Sequence, residues 1–146
     1  MKAKEVAKHI INYCIGIDNP ISNLQLNKML YFLDIYYLIN KHKRLIADEN
    51  FVAWKYGPVI ESIYKKYSMY ASNTIKKWED FEEDFDDDFK GSLYGFIDKL
   101  SKYSPFELVE RSFEKDSPCE RTKRDEIIPL EYLEEYANQF RVKGKQ

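Results

Sequence analysis

Ser22-Asn23-Leu24-Gln25-Leu26-Asn27-Lys28-Met29-Leu30-Tyr31-Phe32-Leu33-Asp34-Ile35-Tyr36-Tyr37-Leu38-Ile39 is the most apolar long segment of the chain. Leu26, Met29, Leu30, Leu33 and Tyr37 recur at helical spacing, and Leu24, Tyr31, Ile35 and Leu38 widen that stripe onto further faces. A helix apolar on several sides has to be covered by other elements, so this one is predicted to be central. Ser22 and Gln25 fit a capping box, in which each side chain satisfies the other residue's backbone amide. Asp18-Asn19-Pro20 ends whatever precedes it.

Upstream of this segment, Val6, Ile10, Cys14 and Ile17 give an amphipathic first helix. Residues 42–50 are polar and read as a loop, with Leu45-Ile46 a short extended piece. Phe51 to Tyr56 is rich in β-formers and stops at Gly57-Pro58, which predicts a strand pairing with Leu45-Ile46. Pro58 has a φ suited to a first helical turn, and Val59, Ile60, Ile63, Tyr64, Tyr67 and Tyr70 continue that helix. Phe81, Phe85, Phe89, Leu93, Phe96, Ile97 and Leu100 predict a helix that starts inside an acidic run. Ser104-Pro105-Phe106-Glu107 is a second capping box, and Ile128-Pro129 opens a last helix carrying Leu130, Leu133, Tyr136, Ala137 and Phe140. The expectation is a mainly α, single compact helical domain of about five to seven helices with a short β-hairpin near residues 45–56. It occupies residues 1–140, and 141–146 form a frayed tail.

Composition supports one cooperative core. Of 146 residues, 44% are apolar and 33% charged, so a wholly disordered chain is excluded. No apolar run approaches the ~18 residues of a membrane span, the first residues lack a signal-peptide core, and Cys14 and Cys119 have no metal spacing. A cytoplasmic protein with no membrane association is expected. Charge is unevenly spread. Residues 1–77 carry twelve Lys/Arg against six Asp/Glu, residues 79–88 carry eight acids and no base, and residues 89–146 carry eleven of each. Such a run can steer a basic partner or simply form a solvated face.

Few residues suggest chemistry. His9 and His42 cannot complete a four-ligand metal site with two distant cysteines, so no metal and no cofactor are expected. His9 lies one step off the first helix's apolar stripe and reads as a surface residue, and no phosphate-binding glycine loop occurs. Direct nucleic-acid binding is disfavoured by the net charge of -2, despite the basic Lys41-His42-Lys43-Arg44. The chain is not expected to be an enzyme.

Leu26-Asn27-Lys28-Met29-Leu30-Tyr31-Phe32 with Tyr37-Leu38 resembles the "L-x-K-[LM]-L-Y-F … Y-L" helix of the Panacea-domain family, the SocA-like, phage-associated proteins. About twenty residues on, Phe51 to Val59 is similar to that family's "F-x-A-W-x-Y-G-P-V" segment, and Ile128 to Phe140 to its closing helix. The chain departs from the family at Leu108 to Ser112 and Pro118-Cys119, which lack the usual His and Trp. The resemblance implies a non-catalytic antitoxin that neutralises a cognate protein toxin by direct contact. The alternative is a phage or prophage inhibitor of a host defence or nucleic-acid-binding protein, with the acidic helix 79–88 imitating phosphates.

Two candidate contact surfaces follow. Trp54, Tyr56, Gly57 and Pro58 form an aromatic turn, joined by Tyr31 and Lys28 of the central helix. They are either a buried packing hinge or an exposed aromatic anchor, and Lys28 either snorkels to solvent or meets a partner carboxylate. Asp84, Asp86, Asp87 and Asp88 are the candidates within the acidic run.

Overall fold

The computed structural model describes residues 1–144. Seven α-helices and one β-hairpin are present among them. Helix α1 is Ala3–Gly16 and α2 is Asn23–Lys41. The hairpin strands are β1, Val52–Trp54, and β2, Gly57–Val59. Helix α3, Glu61–Lys66, runs into a 3₁₀ turn at Ser68–Tyr70. Then come α4 (Lys90–Ser101), α5 (Pro105–Ser112), α6 (Pro118–Arg121) and α7 (Leu130–Gly144).

Helix α2 is the axis. Leu26, Met29, Leu30, Tyr31 and Leu33 are all at most 1% exposed, and α1, α3, α4, α5, α7 and β2 pack around them. Both predicted capping boxes form: the Gln25 amide donates to Ser22 Oγ (3.2 Å) and the Glu107 amide to Ser104 Oγ (3.1 Å), each reciprocated by the Gln or Glu side chain. No helix among the described residues is long and apolar enough to cross a membrane.

The hairpin pairs differently from expectation. Val52 faces Val59, Ala53 faces Pro58 and Trp54 faces Gly57, so Lys55-Tyr56 is a two-residue turn and Pro58 lies in a strand rather than a helix. Proline is tolerated there because β2 is an edge strand of the two-stranded sheet. The other side of β1 is covered by residues 125–128, with the Ala53 amide donating to the Glu126 carbonyl and the Ile128 amide to the Phe51 carbonyl. Leu45-Ile46 forms no strand because its amides are taken by a buried carboxylate: Asp34 Oδ1 accepts from both, at 2.9 and 3.1 Å. Burial raises the Asp34 pKa against the opposing pull of Arg44, whose Nε donates to it at 2.7 Å.

The acidic run 79–88 is not a helix; it is an irregular strap, and α4 begins only at Lys90. Eight acids in ten positions would repel at most i, i+3 and i, i+4 pairs of a helix, and aspartate competes with the helix by bonding nearby amides, as Asp84 Oδ1 does with Phe85. The strap's backbone is held by α1 instead. Glu5 Oε1 accepts the amides of Glu82 and Glu83, and Asn12 exchanges two hydrogen bonds with the Glu79 backbone. His9 is 2% exposed, not a surface residue. Its ring lies between Phe81 and Phe85, with centroids 4.3 and 4.6 Å away, and Nε2 is 2.7 Å from the Glu83 carbonyl.

Helix α7 continues past Phe140 to Gly144. Arg141 stabilises this extension by donating to the carbonyls of Leu38 and Ile39 at the end of α2, where a cation also suits the helix dipole. The last two residues of the expected tail, 145–146, lie outside the described residues.

Candidate functional site

The hairpin turn is built on polar residues of α2. Asn23, Asn27 and Lys28 are buried in the first half of the helix, beside apolar neighbours. Asn23 Nδ2 donates to the Tyr64 carbonyl (2.9 Å), and Asn27 Oδ1 accepts the Ile60 amide (3.0 Å). Lys28 Nζ donates to the Pro58 carbonyl at 3.1 Å. These three side chains hold the exit of the hairpin and the start of α3 against α2. The two asparagines escape sequence reasoning, although their i, i+4 spacing on a greasy helix is a visible signal.

Lys28 is fully buried, and desolvation lowers its pKa to about 7. It makes no salt bridge among the described residues. Its stem passes beside Gly57, where an added Cβ would sit 2.8 Å from Lys28 Cε and 2.7 Å from Ser112 Oγ. Gly57 has φ +100°, so the turn also needs a residue without a side chain for backbone reasons. The Lys28 side chain therefore does not snorkel; it threads under the turn.

Above it the turn is exposed. Tyr56 is 58% exposed, with Lys55 Nζ 5.3 Å from its ring centroid. Trp54 is half-buried and meets Tyr64 edge-on at 4.9 Å. Trp54, Tyr56, Gly57 and Lys28 share the lining of one cavity of about 250 Å³. Tyr31 is elsewhere. It is 1% exposed, packs edge-on against Phe32 and Phe51, and its hydroxyl accepts the Cys119 amide at 3.2 Å. Burial gives it a core position with no surface for a partner, and Pro58, also buried, offers only its carbonyl to Lys28.

The four aspartates lie on the strap, away from that cavity. Asp84 pairs with Lys90 (2.7 Å) and Asp88 with Lys41 (3.0 Å), and each cation holds its partner's pKa below the usual carboxylate range. Asp86 accepts from the Tyr37 hydroxyl at 3.2 Å, and Asp87 is fully exposed, 3.5 Å from Lys90. Trp78 and Phe81 stand exposed beside these acids. The strap's hydrogen bonds to α1 position a mixed aromatic and acidic surface without helical regularity.

Cys14 and Cys119 are both free and buried, and burial pushes each thiol up to about 12, far from the thiolate a nucleophile needs. Among the described residues no group of His, Cys, Asp and Glu side chains converges as a metal site.

Comparison with known proteins gives two findings. The family described as "Antitoxin SocA-like, Panacea domain" matches residues 26–118, well over half of the chain, from α2 to the start of α6. The protein named "Antitoxin SocA" of Caulobacter vibrioides (strain NA1000 / CB15N) is 39% identical over 66 residues, which is 45% of this chain and 35% of that protein. The match thus spans about a third of the curated relative's length. No solved structure matches.

Proposed function

Starting from the fact that the chain belongs to the SocA-like Panacea-domain family, we propose that it is a non-catalytic antitoxin that neutralises a cognate protein toxin by direct contact through the hairpin turn. The observation that carries this reading is the exposed aromatic turn on a rigid base. Tyr56 and Trp54 line a cavity together with Lys28 and Gly57, and Lys28 and Asn27 hold the hairpin exit against α2. Large aromatics on a preorganised element make good interface anchors, because little conformational freedom is lost when they bind. The family match covers Lys28 and the hairpin, but not Leu24, Arg124 and Asp125, which also line the cavity.

Inhibition of a host defence or nucleic-acid-binding protein by a helical phosphate mimic finds less support. The acids follow an irregular backbone, and all four candidates are paired with Lys90, Lys41 or Tyr37.

The test is rescue of growth. The chain is co-expressed with the toxic product of its neighbouring reading frame, as wild type and as the Trp54→Ala/Tyr56→Ala double variant. Rescue by the wild type and its loss in a folded double variant support the reading. Undiminished rescue by the double variant removes the turn as the contact surface, and absence of rescue by the wild type removes the antitoxin role.

A further inference from the structure

The cavity beneath the turn has a composition that specifies what it takes. Its walls are aromatic, formed by Trp54 and Tyr64 at 4.9 Å. Its charged lining is Lys28, Lys55 and Arg124 against one acid, Asp125. About 250 Å³ is smaller than the roughly 300–1,000 Å³ of small-molecule and cofactor sites, so it suits one or two side chains of a docked protein.

The excess of cations has no internal counterpart. Lys28 is fully buried yet bonds one neutral carbonyl, that of Pro58. A buried ammonium without a carboxylate is expensive, and with no exposed surface of its own Lys28 favours an anion in the cavity through its charge, the direct contacts falling to Lys55 and Arg124. Desolvation has already lowered its pKa to about 7, so an arriving carboxylate would also draw a proton onto it. Lys55 and Arg124 are exposed at the rim, where they can guide the same anion inward.

Resting on the antitoxin reading, we infer that this cavity receives an aspartate or glutamate side chain of the toxin, flanked by a large apolar residue that packs on Trp54 and Tyr64. A chain-terminal carboxylate is disfavoured because such groups are captured by nests of backbone amides, and the donors here are side-chain cations.

The test needs no toxin. Trp78→Phe leaves Trp54 as the single tryptophan, and its fluorescence is followed as blocked peptides are added. The probes are acetyl-Phe-Glu-Phe-amide, its Gln counterpart, and acetyl-Phe-Gln-Phe with a free terminal carboxylate. The Glu peptide is expected to give a saturable change, with the Gln peptide weaker by at least about tenfold. Lys28→Met and, independently, the surface change Arg124→Gln are each expected to reduce the Glu peptide several-fold toward the Gln level. Equal binding of the Glu and Gln peptides overturns the inference, as does a tighter fit for the free terminus or no saturable change with the Glu peptide. If growth rescue persists while the peptide assay fails, only this inference falls; loss of rescue with intact peptide binding removes the antitoxin role instead.

Discussion

Replacing Lys28 by methionine should make the protein more stable at low pH and less stable at high pH. In the folded chain the Lys28 amine is held at about 7, against 10.5 for an ordinary lysine. Below pH 7 both folded and unfolded chains carry the proton, and burying that charge costs roughly 5 kcal/mol. Between pH 7 and 10.5 the unfolded chain binds more protons than the folded one, so wild-type stability rises with pH through that window. Methionine fills a similar volume without charge, but it leaves the Pro58 carbonyl without its donor, a loss of about 1–3 kcal/mol. The variant is therefore expected to gain roughly 2–4 kcal/mol at pH 6 and to lose up to about 2 kcal/mol at pH 10. Urea unfolding of both proteins at several pH values measures the difference directly, and other titrating groups cancel in it. A difference that does not change with pH, or a variant already weaker at pH 6, refutes the buried-amine account.

Three further outcomes are expected. Gly57→Ala forces a Cβ to within 2.7 Å of Ser112 Oγ at a φ of +100°, and should cost roughly 2–3 kcal/mol in urea unfolding. Glu5→Ala should release the acidic strap, costing about 2–3 kcal/mol and speeding amide exchange at Glu82 and Glu83 before the rest of the fold responds. Burial alone would raise the Glu5 pKa, but the Lys8 ammonium and the Glu83 and Glu82 amides hold it at about 2. Its stabilisation is present above about pH 4.5 and is lost as the pH falls through about 2, and an acid titration of the wild type and Glu5→Ala should converge there. The combined Asp84, Asp86, Asp87 and Asp88→Asn variant should stay folded, losing about 1 kcal/mol or less because these groups are largely exposed; a melting curve that collapses would contradict that placement.

What the sequence reveals and what it hides follow from the range of the interactions. The apolar breadth of α2, its Ser22-Gln25 cap and the Ser104-Glu107 cap are local signals, and each forms in the structure. The strap is misread because Phe81, Phe85 and Phe89 recur every four residues whether their backbone is helical or not. Its true partners, Glu5, His9 and Asn12, lie 67–78 residues away in the chain. The hairpin's β character is legible in Phe51 to Tyr56, but the choice of partner strand turns on Pro58 at a sheet edge and on Asp34 taking the amides of Leu45 and Ile46. At the candidate site the family motif gathers Lys28, Trp54, Tyr56 and Gly57 around one cavity. It does not separate them from Tyr31, whose neighbours are core side chains and the α6 backbone. Arg124 and Asp125 complete the cavity from a polar loop that carries no motif at all.

On the proposed reading, this chain acts by occupying a toxin through its hairpin turn rather than by transforming it. The direct measurement is titration of purified toxin activity with purified chain, as wild type and as Trp54→Ala/Tyr56→Ala. Inhibition should grow in proportion to the amount of wild-type chain added until the toxin is fully bound, and the double variant should need far more. Silencing of excess toxin by trace amounts of chain, or an unaltered titration with the double variant, would contradict it.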